Sequence, residues 1–435
     1  MIVFLKKVRV KTVFSAFEPI ITEPLELCYL KSVLDSMNVE NYIIDDLFKL
    51  KEPAVMPDVI VLNGYNVAED EIINTAKKYK TKYPHAKIIV GGVHIQGNKN
   101  EFYTHAIDYV CHTQSLNVFM ELIDKINKQD YSITHGVDSY VTDEDSNSGK
   151  WLYGDNVVLY EKESVIPGRT LFYEMSHKLR YLDKTNVALI KGSIGCPYNC
   201  SYCYCKKING RHYIKADFEK MISEMENLSA DYFWIVDDVL FSSRNDALEF
   251  IDIVKTKSLK IKVIGYLRAD FVLRERDLLP LLREAGLCEV IVGFEATNND
   301  ELKNYEKTTN ALDYPESISL LKKSNIDLTA LFMVHPSYSV KDFKNLYRFI
   351  KRNKIDIYTI SIFTPMKGTS DYEDFKYDLT TDDPKKFDFM HLVLESSLPK
   401  WLFYLMFYGT HARLLKSKRV WKFLTKMKIS VRHPE

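Results

Sequence analysis

Short apolar runs alternate with segments whose apolar residues recur every three or four positions along most of the 435 residues. The first pattern predicts buried strands and the second amphipathic helices. Within residues 1–128, strands are expected over 7–16 (KVRVKTVFSA), 41–46 (NYIIDD), 58–64 (DVIVLNG), 86–92 (AKIIVGG) and 106–112 (AIDYVCH). Helices fall over 24–37, 68–83 and 115–126. This alternation predicts a doubly wound parallel sheet. Residues 129–185 are polar, acidic and turn-rich, a linker carrying a small hairpin. A second alternating series fills 186–375, with strands over 187–193, 232–238, 262–268, 289–295, 328–334 and 357–363. Six strand–helix units in series predict a partial (β/α)6 barrel, whose chemistry belongs at the carboxyl ends of its strands. Residues 376–435 have a helical pattern. The fold class is therefore α/β, with a Rossmann-like sheet, a partial barrel and a helical C-terminal region.

Hydrophobic residues make up 46% of the chain, enough for two buried cores, and Lys+Arg and Asp+Glu both number 59. A balanced charge gives no global attraction to nucleic acid, and none is expected as a partner. The opening MIVFLKKVRVKTVFSA is broken by charge and lacks a small-residue cleavage site. No uninterrupted apolar run reaches 18 residues. A cytoplasmic location is the expectation, and there seven cysteines point to metal ligands, redox groups or core residues before disulfides.

Four of those cysteines fall within ten positions, in GCPYNCSYCYC (195–205). Cys196, Cys200 and Cys203 have C-x3-C-x2-C spacing on the loop after the first barrel strand. Three thiolates on one compact loop suit three irons of a cubane, leaving the fourth iron open to a small molecule. Zinc is the alternative, but its sites usually pair two C-x2-C units. The remaining Cys28, Cys111 and Cys288 lie in apolar strands or helices. A purely structural role is the third reading. Cys205 is either a fourth ligand or a bystander thiol, because one intervening residue makes bridging to the same cubane awkward.

GCPYNCSYC at the opening of a six-unit barrel resembles the radical S-adenosylmethionine (SAM) superfamily. The resemblance implies a 4Fe-4S cluster on Cys196, Cys200 and Cys203, with SAM bound at the open iron through its amino and carboxylate groups. One-electron reduction then cleaves SAM to a 5′-deoxyadenosyl radical. It further implies that Tyr202 lines the adenine. Asp237 and Asp238 (in VDDVLF, 236–241) would lie near the SAM amino group, Arg268 (YLRADF, 266–271) at its carboxylate, and Glu295 (GLCEVIVGFEAT, 286–297) at ribose or amino group. FTPMKGT (363–369) resembles the family's turn after the sixth strand. One departure is MVHP (333–336), where the family ends its fifth strand in G-x-P. Val334 replaces the glycine, and His335 is expected to point into the site.

A parallel domain ahead of such a barrel resembles the cobalamin-binding subgroup, and that resemblance covers most of residues 1–400. Its strongest element is IIVGGVHIQG (88–97), which implies a cobalamin turn formed by Gly91, Gly92, Val93 and His94, with His94 shaping the turn and not binding cobalt. VLNGYN (61–66) adds Gly64 and Tyr65 at the same sheet edge. Two motifs of cobalamin proteins are replaced. FEPIITEPLE (17–26) stands where an axial-histidine loop would be, and HTQSLN (112–117) stands where a G-E-G-E loop would be. A domain that keeps the fold without the cofactor is the alternative.

From Lys400 onward there are nine Lys and Arg and one acid, Glu435, interleaved with Trp401, Phe403, Tyr404, Phe407, Tyr408, Trp421 and Phe423. The segment either touches a membrane surface or a lipid-like or peptide substrate, or packs its aromatics over the barrel mouth. The leading expectation is a cobalamin-dependent methyltransferase acting on an unactivated carbon of a small-molecule, lipid-like or peptide substrate. A reducing partner such as flavodoxin or ferredoxin is implied. The alternatives are a radical SAM rearrangement, cyclisation or carbon–carbon or carbon–sulfur bond formation, and a noncatalytic iron–sulfur protein.

Overall fold

The computed structural model describes residues 1–11, 18–142, 149–159, 162–209 and 212–432, the last stretch and residues 206–207 partly as backbone alone. Seven strands form the first sheet: β1 (Ile2–Lys7), β2 (Glu40–Ile44), β3 (Val59–Asn63), β4 (Lys87–Gly91), β5 (Tyr109–Cys111), β6 (Val137–Thr142) and β7 (Gly149–Leu152). Their order is β2-β1-β3-β4-β5-β6-β7. The first five are parallel. All five residues of β3 are buried, as a strand covered by helices on both faces requires.

The first strand is not the expected 7–16 but Ile2–Lys7. Its IVFL run can be buried on both faces, whereas the charges at Lys6, Lys7, Arg9 and Lys11 suit a strand end and its loop. The rest of the expected strand, 12–16, lies outside the described residues. The hairpin β6–β7 does not stand alone in a linker. It pairs antiparallel onto β5 and extends the first sheet, covering an edge that would otherwise present unpaired backbone groups.

The second sheet has six parallel strands in sequential order: β8 (Val187–Ile190), β9 (Tyr232–Ile235), β10 (Val263–Leu267), β11 (Leu287–Glu295), β12 (Asp327–Val334) and β13 (Ile357–Ile362). Alternate residues face two cores. Ala188, Ile190, Phe233, Ile235, Val290 and Val292 pack against the outer helices, while Leu189, Trp234, Ile264 and Ile291 fill the concave side. A small sheet of Ile20–Ile21, Arg180–Tyr181 and Lys184–Thr185 ties the N-terminal segment to the barrel's entry. Among the described residues no helix is long and apolar enough to cross a membrane.

The helices from Lys400 onward do not cover the barrel mouth; the segment before them lies there, the Phe389 carbonyl accepting from the Ile362 N–H at 2.7 Å and the Phe387 carbonyl from Asn66 at 2.6 Å. Helix Lys400–His411 packs on the outside, with Phe403 edge-on to Phe343 at 5.2 Å. Arg419 reaches the opposite end of the barrel. Its guanidinium holds both oxygens of Glu289, near the start of β11, at 3.0 and 2.8 Å. It also bonds Asp183 at 2.9 Å. Glu289 is fully buried and is shared with Lys184 and the Thr329 hydroxyl at 2.7 Å. The aromatics found a closer apolar surface on helix Val340–Arg352, and the buried carboxylate fixed where the basic segment docks.

Burial works to raise the Glu289 pKa, but Arg419 and Lys184 outweigh it and hold the carboxylate below its ordinary range. Its contribution to stability is therefore complete above the unfolded value, about pH 4.3, and is lost as pH falls toward the folded one. Arg419→Ala is expected to destabilise the fold by about 3 kcal/mol, the cost of breaking a buried pair. Lys422→Ala, on the exposed face, should fall within about 0.5 kcal/mol. Thermal unfolding of the two variants at pH 7 and pH 4 checks both, with the difference between them shrinking at the lower pH.

Candidate functional site

The strand β8 ends at Ile190 and delivers the chain to the cysteine loop. Asp237, at the carboxyl end of the neighbouring β9, is buried and accepts N–H bonds from Gly192 at 2.8 Å and Ser193 at 2.7 Å. Both of its oxygens face backbone, so the expected contact with SAM is not available to it: Asp237 positions the loop instead. Burial raises its pKa, with Lys191 and the two N–H groups opposing. The following Asp238 is exposed and is an electrostatic neighbour of Cys196, Cys203 and Cys205.

The loop is fastened along its length. A backbone bridge joins Ile194 to Ile214 at 3.0 and 2.8 Å, Ser201 N–H donates to the Tyr305 carbonyl at 3.1 Å, and the Ser370 hydroxyl donates to the Ser201 carbonyl at 3.2 Å. Cys196, Cys200 and Cys203 are half-buried free thiols. Burial pushes the Cys196 thiol up to about 11. Cys205 is buried at the start of helix Cys205–Ile208, with Asn209 donating to its carbonyl at 3.0 Å and its sulfur at 3.4 Å. Among the described residues, no three His, Cys, Asp or Glu side chains are gathered as a single metal ion would need. Thiolates on separate irons need not converge in that way, whereas one zinc ion draws its sulfurs to about 2.3 Å.

The remaining strand ends meet beside this loop. Arg268, following β10, bonds Asp270 at 2.9 and 3.3 Å and Thr308 at 2.9 Å, and its guanidinium lies 3.7 Å from the centre of the Tyr198 ring. Glu295 ends β11 in the left-handed region, φ 63°, at a register shift against β12. Its carboxylate accepts from the Lys307 ammonium at 3.2 Å, and the same ammonium lies 3.5 Å from the Tyr202 hydroxyl. Sequence reasoning did not single out Lys307, Thr308 or Tyr198. No recognised spacing marks them, and the burial of Lys307 is visible only in the fold. His335 follows β12 and is half-buried against Phe363 at 4.9 Å, with Ser337 at its Nδ1. Burial lowers its pKa. Val334, where a glycine was expected, is fully buried and faces the outer core.

In the first sheet the strand order reverses at β1, which has β2 on one side and β3 on the other. Ligands of open α/β sheets bind outside the carboxyl ends at such a point. There the Lys7 ammonium bonds Asn63 at 2.7 Å and Glu26, and sits 4.0 Å over the Tyr65 ring. Asn63 in turn donates to the Gly91 carbonyl at 3.2 Å. Gly92 has φ 115°, and a Cβ there would strike the Asn63 amide. Tyr65 and Val93 are exposed and Gly91 and Gly92 half-exposed, while Gly64 and His94 are buried. His94 Nε2 pairs with Glu69 at 2.8 Å and Nδ1 lies 3.3 Å from Asn98. The two buried residues of this set shape the edge from behind and present no surface to a ligand.

The carboxyl edges of the two sheets face each other and touch. Gln96 donates to the Ile208 carbonyl at 2.6 Å, Asn98 to the Tyr204 hydroxyl at 2.8 Å and Gln114 to Asn209 at 2.7 Å. A Cβ on Gly97 would meet the Tyr204 hydroxyl and displace that side chain, so the turn and the cysteine segment meet closely here. Lys367, after β13, reaches Glu69 at 3.4 Å and Glu101 at 3.1 Å. A cavity of about 530 Å³ opens at this junction, with Gln96, Asn98, His112, Gln114, Asn209 and His212 in its walls.

Comparison with known proteins agrees with this arrangement. The model of the radical SAM superfamily matches residues 190–350, from the end of β8 to the helix after β12. Residues 190–350 thus form a radical SAM domain, and its homologues support an enzyme. The chain is 24% identical over 371 residues to the hopanoid C-3 methylase of Methylococcus capsulatus, covering 84% of this chain and 70% of that one. It is also 24% identical over 325 residues to the bacteriochlorophyllide d C-8(2)-methyltransferase of Chlorobaculum tepidum, covering 71% and 67%. Among solved structures, the radical SAM methyltransferase TsrM of Kitasatospora setae, with cobalamin and a 4Fe-4S cluster bound, superposes with a TM-score of 0.70 at 14% identity over 95% of this chain and 90% of that one. The cobalamin-dependent radical enzyme OxsB, with aqua-cobalamin bound, gives 0.64 at 20% identity, over 87% of this chain and 55% of that one. The chain thus spans about half of OxsB and about two thirds of the two methylases. At these identities the solved structures establish a shared fold.

Proposed function

We propose that this chain is a cobalamin-dependent radical SAM methyltransferase acting on an unactivated carbon of a small-molecule, lipid-like or peptide substrate. The observation that carries the reading is the direct contact between the two carboxyl edges, through Gln96, Asn98 and Gly97 on one side and Tyr204 and Ile208 on the other. Two cofactors that must act on one substrate need their binding edges to share a space. Relatives named for methyl transfer support the reaction class.

When bound, the cluster and SAM supply a carbon-centred radical, and cobalamin supplies the methyl group. The protein's part is to hold and aim. Cys196, Cys200 and Cys203 offer three free thiols for a cluster with one open iron. Asp237 fixes the loop's entry through Gly192 and Ser193. Tyr202 presents its ring beside the second and third thiols, and Asp238, Arg268 and Glu295 surround the same space. Across the junction, Tyr65, Gly91, Gly92 and Val93 offer a floor for a flat macrocycle. His94 is held by Glu69 and Asn98 and supplies no axial ligand. Cys205 stays outside the ligand set as a buried thiol beside Cys203, with Asn209 donating to its sulfur at 3.4 Å.

The competing reading is radical chemistry without methyl transfer, favoured by a 23% identity over 363 residues to the anaerobic magnesium-protoporphyrin IX monomethyl ester cyclase of Cereibacter sphaeroides. A one-electron donor of the flavodoxin or ferredoxin class serves either reaction. The outer face of the C-terminal helices fits contact with an anionic membrane. Trp401, Leu405 and Tyr408 stand exposed at i, i+4 and i+7, with Lys400 exposed at the start of the same helix and Lys416, Lys418 and Lys422 exposed further along the chain.

Anaerobic reconstitution with iron, sulfide and hydroxocobalamin, followed by desalting, should leave a corrin absorbance on the protein. Its absence would falsify the methylcobalamin route. SAM cleavage to 5′-deoxyadenosine should vanish in Cys200→Ala, while Cys205→Ala should keep the wild-type iron content; loss of that iron would make Cys205 a ligand. Flotation with phosphatidylglycerol vesicles should recover the wild type and not a Trp401→Ser, Leu405→Ser double variant. Equal recovery of both, or of neither, rules out this membrane face.

A further inference from the structure

GCPYNCSYCYC leaves one thiol over. Cys205 lies two residues beyond the last of the three proposed ligands, buried where helix Cys205–Ile208 begins. A cluster held by three thiols does not need it. Its surroundings are nevertheless built around it. Asn209, one turn further on, donates to the Cys205 carbonyl at 3.0 Å and to its sulfur at 3.4 Å. The Asn209 carboxamide oxygen in turn accepts from Gln114 at 2.7 Å, on the loop that follows β5 in the first sheet. This chain of bonds fixes the Cys205 side chain from both halves of the molecule.

The bond from Asn209 decides what the thiol can do. A cysteine offers one weak donor and one weak acceptor. With Asn209 donating to the sulfur, the S–H is the group left to give, and an accepted hydrogen bond polarises it further. Two acceptors lie within its reach, the Cys203 sulfur and the Asp238 carboxylate. Asp238 is exposed and has water to bond. The Cys203 sulfur is half-buried and is approached by the Cys205 backbone N–H as well. The potential of an iron–sulfur cluster is set by net charge and by hydrogen bonds to its sulfurs. Asp238 and Glu295 both bring negative charge beside Cys203, which opposes the arrival of an electron. A donor on a ligand sulfur disperses the incoming charge and offsets those two acids.

We propose that Cys205 is a positioning residue that tunes the cluster: its S–H, held in line by Asn209, donates to the Cys203 sulfur and raises the cluster's reduction potential. A neutral thiol supplies this donor without burying a further charge. Gln114 makes the first sheet a party to the same bond, so the half that faces the barrel also helps to set how readily the cluster takes its electron. This inference rests on the radical SAM reading of the site.

The test is the midpoint potential, read without substrate or turnover. Wild type, Cys205→Ala and Cys205→Ser are reconstituted anaerobically, their iron is measured, and the EPR signal of the reduced cluster is followed against poised potential. Cys205→Ala should hold wild-type iron yet show about ten-fold less reduced cluster at a fixed potential, as for loss of one hydrogen bond to a charged group. For a one-electron couple that is a fall of about 59 mV. Cys205→Ser keeps a donor and should recover most of the difference. If Cys205→Ala shares the wild-type midpoint, the proposal is wrong. It is equally wrong if Cys205→Ser falls as far as Cys205→Ala, because the donor is then not the cause. Loss of iron from Cys205→Ala would make the residue a ligand and overturn the tuning role. A wild type that assembles no cluster would instead defeat the reading of Cys196, Cys200 and Cys203, and the inference with it.

Discussion

The contact on which the rest depends is the meeting of two sheet edges. Parallel strands end with their carboxyl sides on one face, and each sheet alone would leave that face to solvent. Here the turn after β4 and the segment after the cysteine loop meet through the Gln96 bond to the Ile208 carbonyl and the Asn98 bond to the Tyr204 hydroxyl, with Gly97 close against that tyrosine. Lys367 adds a second tie, from the end of β13 to Glu69 and Glu101. Glu69 also holds His94, so the residue that shapes the first edge is anchored through the same carboxylate that grips the barrel.

Polar ties at such a junction suit a site that must admit large molecules. An apolar interface would seal by area alone, whereas carboxamides and hydroxyls hold two surfaces apart while keeping hydrogen bonds satisfied. The cores lie elsewhere. One packs between the barrel strands and their outer helices, and others on either face of the first sheet. At the far end of the barrel the buried Glu289 with Arg419 and Lys184 closes the molecule. Stability is concentrated away from the edge where chemistry is expected, which leaves the edge free to be polar and half-open.

The sequence made the strand–helix alternation legible because buried parallel strands are continuous apolar runs: VIVLN, KIIVG and LCEVIVGFE are hard to read otherwise. The first strand was misplaced because its apolar run is followed by KKVRVK, whose alternation imitates a strand while its charges belong to the edge and its ion pairs. The cysteines and the residues at strand ends were visible as spacing. What side chains do there was not. Asp237 and Asp238 look equivalent in the sequence, and only the fold turns one to backbone and the other to the loop. Lys307 escaped notice because its role comes from a left-handed Glu295 twelve residues earlier, a pairing that no local pattern announces. The tail gave no sign of which surfaces it would cover, since its aromatics pack on helix Val340–Arg352 and its basic segment docks on a buried carboxylate of β11.

The segment after Cys203 has a further consequence. Within six residues it passes from a thiol of the proposed cluster to Tyr204, Ile208 and Asn209, which grip the first sheet. The two halves are therefore not interchangeable modules joined by a tether. A recombinant that exchanged the N-terminal sheet for a relative's would have to carry residues 204–209 with it, or lose the fit that Gly97 permits. Inheritance of this architecture is constrained at that short stretch, and divergence between relatives should be sought outside it.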